Sequence, residues 1–416
     1  MLTRAALMML MLVALPARAQ QDPEQEREEI VDHNDDDRDD APIDVRWEPG
    51  IAARVRAGGG AIGGGDTISP GSGAMSIVAG ELTGRLSRGR LLLEVPLEYS
   101  HRQTYNTNLT EIRARGGGRV TYRFTPAVRA SAEAGLATTW KPDWLDPFQP
   151  LDTGGLATTD RYSHWDRRAG ADVVVRTSRH ERLRVAYDYV LAVYDHDPSF
   201  DAIYDPIHLT PWDREMHRID AAYRVKEGVW KFRAGVELAQ WNYFFMFAGD
   251  ANTGVTHAGS GGEPPNPLLE LRVAKPRLEG EVQALDELTV RARYEVELMD
   301  DTFQGYLSYT GHHPEVEVRA SLPSDIEVSA QAELFWRRYG ANSYDYEMDP
   351  THPPLAWGDR RTERLWYFTL QAAKLFGDHW SAVAEAKLAV RRTNYAYAID
   401  WNYVNWLAWT GAEYRY

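Results

Sequence analysis

The sequence predicts an all-β chain closed into a transmembrane, antiparallel, up-and-down β-barrel of about sixteen strands, within a range of fourteen to eighteen. Three features carry this prediction. Apolar and polar residues alternate over stretches longer than soluble strands need, and tight connections alternate with long ones. After the amino terminus no stretch is apolar enough to cross a bilayer as a helix, in a chain of mean hydropathy −0.48. A membrane chain without such helices has only a closed sheet with which to satisfy its backbone.

The alternation is clearest from 288 to 298. Leu288, Val290, Ala292, Tyr294, Val296 and Leu298 share one face, while Thr289, Arg291, Arg293, Glu295 and Glu297 share the other. Such a stretch matches the ~9–11 tilted residues that cross a hydrocarbon core. A hairpin centred on Asp286 then sets Gln283 opposite Thr289, Glu281 opposite Arg291, Glu279 opposite Arg293 and Arg277 opposite Glu295. Three successive pairs of opposite charge are what favourable cross-strand neighbours require.

In chain order, residues 1–19 read as a signal peptide: Arg4 is the positive start, Ala5 to Leu15 is apolar, and Ala17-Arg18-Ala19 is a cleavage site. The absence of cysteine leaves neither a disulfide nor a lipid anchor. Residues 20–42 form an acidic periplasmic segment, with eleven Asp or Glu between 21 and 41 against Arg27 and Arg38. It is too polar to bury a core, so it is expected to be a disordered spacer or tether, and it carries much of the net charge of −15. Asp32 to Asp40 lacks the turn glycine and distal glutamate of a calcium loop. No cofactor is expected.

The barrel is assigned to 43–416, with strands at 43–57, 74–86, 90–102, 110–124, 127–140, 163–177, 181–195, 213–225, 229–245, 268–284, 288–300, 304–321, 326–338, 362–375, 379–394 and 402–416. Connections such as Ser87-Arg88-Gly89, Thr125-Pro126, Lys226-Glu227-Gly228 and Phe376-Gly377-Asp378 are tight, and most of those between them are long. Two departures from regularity are expected. Near Lys275-Pro276 the apolar set changes parity, from Leu269, Leu271 and Val273 to Leu278, Gly280 and Val282, which predicts a bulge. Gly116-Gly117-Gly118 predicts a sharp bend or the close approach of an inward loop.

The last strand carries a more specific signal. Val404, Trp406, Ala408, Thr410, Ala412, Tyr414 and Tyr416 alternate with the other face, and the chain stops on an aromatic residue. This resembles the carboxy-terminal strand of bacterial outer-membrane β-barrel proteins of porin-like type. The resemblance implies a Gram-negative cell outer membrane as the location, outer-membrane lipid as surroundings, and the barrel-assembly machinery as the reader of Trp406, Tyr414 and Tyr416. That family ends most often on Phe, so Tyr416 is a departure.

Lumen-lining positions are assigned to Arg277, Glu279, Glu281, Arg291, Arg293, Glu295, Glu297, Glu315, Glu317, Arg319, Glu327 and Glu333, with Arg319 opposite Glu327 across a hairpin centred near Pro323. Mixed signs argue against a ring of one charge. The expected function is a channel passing hydrophilic solutes or polymer. A narrower form is the barrel component of a polysaccharide export system, for which loops dense in aromatics and acids at 141–162, 196–212, 246–267 and 339–361 suit sugar contact. Asp195, His196, Asp197, Asp201 and Asp205 also suit a hard cation. His217, His312 and His313 form no catalytic set, so an enzyme is not expected. A barrel hydrolase acting on lipid or peptide, and a plugged barrel serving as surface scaffold or adhesin, stay open. Periplasmic export components are possible partners, and nucleic acid is not.

Overall fold

The computed structural model describes residues 48–64, 73–105, 109–141, 144–150, 156–159, 163–194, 213–248, 265–305, 307–342, 360–393 and 403–416. The expected signal peptide, the acidic segment and the 196–212 loop with its candidate cation ligands lie outside these residues, as do most of the aromatic loop positions.

Alternating patterns at membrane-crossing length become strands of 13 to 18 residues: β1 (Glu48–Gly64), β2 (Gly73–Arg88), β3 (Leu91–Thr104), β4 (Leu109–Thr125), β5 (Val128–Trp140), β8 (His164–Arg176), β9 (Glu181–Tyr194), β10 (Arg214–Glu227), β11 (Trp230–Phe247), β12 (Leu268–Leu285), β13 (Leu288–Asp301), β14 (Tyr309–Leu322), β15 (Ile326–Asn342), β16 (Arg360–Phe376), β17 (Trp380–Thr393) and β18 (Tyr403–Arg415). Each pairs antiparallel with its chain neighbours, and β1 pairs with β18, which closes a barrel of sixteen strands. Closure removes every open edge of the sheet. Two short strands, β6 (Trp144–Pro150) and β7 (Leu156–Thr159), form a separate hairpin within the long connection after β5. Their run of Trp, Pro and Asp shows no period-two pattern, so sequence alone marks them as loop.

The tight connections are hairpins. Gly89, Gly228 and Gly377 occupy left-handed backbone at φ of 57°, 57° and 70°. The Pro323 hairpin corrects one expectation. Ser324 and Asp325, at φ of 71° and 57°, carry the turn, so its centre falls one residue later than Pro323. Arg319 therefore faces Ser329, and Glu327 faces Ser321.

Side chains sort by parity around the wall. Val185, Ile219, Leu238, Leu278, Tyr294, Val316 and Trp336 are exposed on the outside. Near the tight turns the outer face carries Phe124, Trp230, Leu285, Phe376, Trp380 and Tyr416, an arrangement suited to a membrane interface. The inner face is charged and far less exposed, with Asp220, Arg277, Glu295, Glu315, Glu333 and Glu413 all buried.

No bulge forms at Lys275-Pro276. The pairing of β12 with β11 runs unbroken from Val282 to Glu270, with Pro276 opposite Val236. Parity of the apolar residues changes because Leu269, Leu271 and Val273 point inward, where Leu269 and Leu271 pack with Tyr243 and Ala248. Gly116 to Gly118 likewise sit in a regular strand. The close approach there is between neighbouring backbones, since a Cβ on Gly117 would meet Ala134 O at 2.6 Å. β1 also runs further than expected, to Gly64, because pairing on both sides holds its glycine run in the sheet.

Candidate functional site: the barrel lumen

The hairpin of β12 and β13 adopts the expected register, with Arg277, Glu279, Glu281 and Gln283 opposite Glu295, Arg293, Arg291 and Thr289. The ion pairs, however, run diagonally or along a strand. Arg291 Nε reaches Glu279 at 3.1 Å, and Arg293 reaches its own-strand neighbour Glu295 at 2.8 Å. Register fixes which residues share a face, whereas long side chains choose among diagonal partners.

All twelve assigned positions occupy the face opposite the apolar belt. Arg277 meets Asp220 of β10 at 2.5 Å, and Glu281 meets Lys231 of β11 at 2.7 Å. Glu297 lies between Lys275 at 3.2 Å and Arg337 at 3.4 Å. Glu317 accepts from Arg319 at 2.6 Å, and Glu315 accepts from Gln331 Nε2 at 2.9 Å. Glu333 sits 3.4 Å from His313, whose ring stacks on Phe335. On this side, then, opposite charges interleave over β12 to β16. Asp220 and Lys231 pair with β12 from the preceding hairpin, so the charge pattern of the β12–β13 hairpin does not reveal them, whereas Lys275 meets Glu297 within that hairpin.

Across β8 to β11 the middle of the inner face also carries ion pairs, such as Arg218 with Asp188 at 2.7 Å and Arg168 with Asp166 at 3.0 Å, but arginines gather toward one end. Near the tight-turn end Arg176 faces Arg182, Arg182 faces Arg224, and Arg224 faces Arg233. On the adjoining β4 and β5, Arg123 faces Arg129. Like charges directly opposite oppose folding, and this inner row of four adjacent arginines ends at Arg233, whose partner on its other side is Glu279. Only the registers of three separate hairpin and loop connections bring this row together.

Toward the other end rings and guanidiniums line the inner face, on β9 to β11 and again on β15 and β16. Arg214 lies 5.4 to 5.9 Å from the ring centres of Tyr194, Trp241 and Tyr243, and Arg361 lies 4.1 Å over Tyr339.

At the carboxy terminus Tyr414 and Trp406 face outward with the odd-even pattern of β18. The Tyr414 ring packs on Trp380 at 4.9 Å. Tyr416 exchanges two backbone hydrogen bonds with Ala53 and leaves its side chain exposed. The terminal aromatic is thereby displayed at the tight-turn rim.

A sixteen-stranded closed sheet, apolar outside and charged within, defines an outer-membrane barrel of porin-like architecture, because only lipid surroundings favour that inversion. No family's sequence profile matches the chain, and no curated protein resembles it in sequence. Among solved structures it is similar to OccAB1 of Acinetobacter baumannii, with a TM-score of 0.49 and 8% identity over 90% of this chain and 98% of that one. It is also similar to CdiB of Acinetobacter baumannii, with a TM-score of 0.48 and 9% identity over 89% of this chain. The match spans 66% of the CdiB chain. An anion-selective porin from Comamonas acidovorans gives a TM-score of 0.43 and 10% identity over 89% and 100% of the two chains.

Proposed function

We propose that the barrel is a passive channel for hydrophilic solutes, with a preference for anions. The observation that carries this reading is the closed sixteen-stranded wall with a charged inner face. Barrels of this strand number leave room for water along the axis. The arginine row on β8 to β11 supports the anion preference by attracting anions along one arc, beside a stretch on β12 to β16 where both signs interleave with carboxylates in the majority.

Purified protein in a planar bilayer is expected to give stable open conductance steps. Silence across the accessible voltage range overturns the reading in favour of an enzyme or scaffold. Under a salt gradient, Arg182→Gln with Arg224→Gln is expected to lower the anion-to-cation permeability ratio by roughly twofold or more. An unchanged reversal potential removes the anion preference while leaving the channel.

A further inference from the structure

The outer wall carries a groove of about 970 Å³ near the long-connection end, outside the lumen. Its floor follows one rung of the sheet, in which Ile219, Leu238, Ala274, Leu298, Thr310 and Arg338 are successive cross-strand partners. Ala274 sets only a methyl group between two exposed leucines, and this depression forms the bed. Trp336 forms one wall, its ring tilted against His312 with centres 5.6 Å apart, and His312 Nδ1 lies 2.7 Å from the Tyr294 hydroxyl.

One rung closer to the long connections the outer face turns polar, with His217, Gln240, Arg272 and Asp300 side by side. Arg272 is 63% exposed and bridged to Glu270. Charged groups facing lipid cost ~2–4 kcal/mol at mid-membrane but about 0–1 near the interface. The groove therefore straddles the boundary between acyl chains and headgroups.

Charge identifies what fits there. On β15, β16 and β17, Arg338, Arg364 and Arg392 point outward at this level, and Arg364 and Arg392 are direct cross-strand neighbours. Arg364 lies over the Trp336 ring at 5.9 Å. Among the described residues, the outer faces of β14 to β17 hold no carboxylate. Glu215, Glu270 and Asp300 all lie on the β10 to β13 side.

We propose that this groove seats an outer-leaflet lipid whose headgroup bears a phosphate. An acyl chain lies along Ile219, Leu238 and Leu298 beside Trp336, and the phosphate meets Arg338 and Arg364. Guanidinium suits this role because its planar fork donates two hydrogen bonds to one phosphate.

The test uses the full barrel in detergent and native mass spectrometry, with phosphatidic acid and diacylglycerol of identical chains as probes. Wild type is expected to retain phosphatidic acid and not diacylglycerol. Arg338→Gln with Arg364→Gln is expected to weaken retention on the order of tenfold, as the loss of two interfacial charges requires. Ala274→Leu, which fills the bed and spares every arginine, is expected to weaken it as well. Lys374→Gln, on the outer face at the opposite end, is expected to leave retention unchanged. Equal retention of both lipids overturns the phosphate assignment. Retention untouched by the arginine pair, or lost equally in the Lys374 variant, overturns the site. Heat-shifted gel mobility checks that each variant is folded.

Discussion

Gly411→Val is expected to yield no folded barrel. Gly411 of β18 faces Gly58 of β1 across the closing seam, and Gly60 faces Trp409 two residues along. A Cβ at Gly411 would sit 2.8 Å from Gly58 Cα, closer still to Ala57 O, and would have only backbone against it. Overpacking against side chains costs ~1–3 kcal/mol because rotamers can yield. Here strands would have to move apart, and the pair affected is the one that turns an open sheet into a ring. Gly280→Ala provides the contrast, since nothing lies within 4 Å of a Cβ there. It should fall within about 0.5 kcal/mol of wild type. Both are checked by the heat-dependent gel shift and by membrane yield. A Gly411→Val barrel with wild-type mobility and urea midpoint would show that β1 and β18 are not packed as described.

That seam also shows where sequence reading succeeds and stops. Strand identity was legible because lipid on one side and charge on the other impose a strict period of two, as at 288 to 298. Hairpin register is legible around Asp286 because Glu279, Glu281, Arg291 and Arg293 place opposite charges face to face, even though the ladder shifts by one residue between Gln283 and Leu285 beside the turn. It slipped by one residue at Pro323, because proline invites placement of the turn on itself, whereas Ser324 and Asp325 adopt the left-handed conformations. Leu269, Leu271 and Val273 escape the pattern for a different reason. Apolar residues on a barrel strand ordinarily face lipid, whereas these three are buried on the inner face, Leu269 and Leu271 in a cluster with Tyr243 and Ala248. The β1–β18 pairing, the arginine row and the outer groove depend on strands far apart in sequence or on several registers at once. No local pattern encodes them.

Glu413→Ala is expected to be the most damaging loss of a single charge. The Glu413 carboxylate is fully buried on the inner face of the seam, with a side-chain exposure of 0%. Arg54 Nη2 reaches it at 2.9 Å and Arg56 Nη2 at 3.0 Å, and Arg415 Nε donates to its other oxygen. Two of these arginines belong to β1 and one to β18, so the carboxylate ties the last strand to the first by charge as well as by backbone. Removing one partner from a buried ionic cluster costs ~3–5 kcal/mol, mostly because the remaining charges lose compensation. Three guanidiniums left around an alanine should place Glu413→Ala at the upper end of that range. Glu413→Gln keeps an acceptor but no charge and should fall between alanine and wild type. If repulsion among the orphaned guanidiniums is the cause, then Arg56→Met added to Glu413→Ala should recover part of the loss, a coupling that a thermodynamic cycle isolates. The readout is the urea midpoint followed by tryptophan fluorescence, since Trp409 packs beside this cluster with Arg56 5.5 Å from its ring centre. Strictly additive losses in the double variant would assign the cost to lost packing, and the electrostatic tie between first and last strands would have to be abandoned.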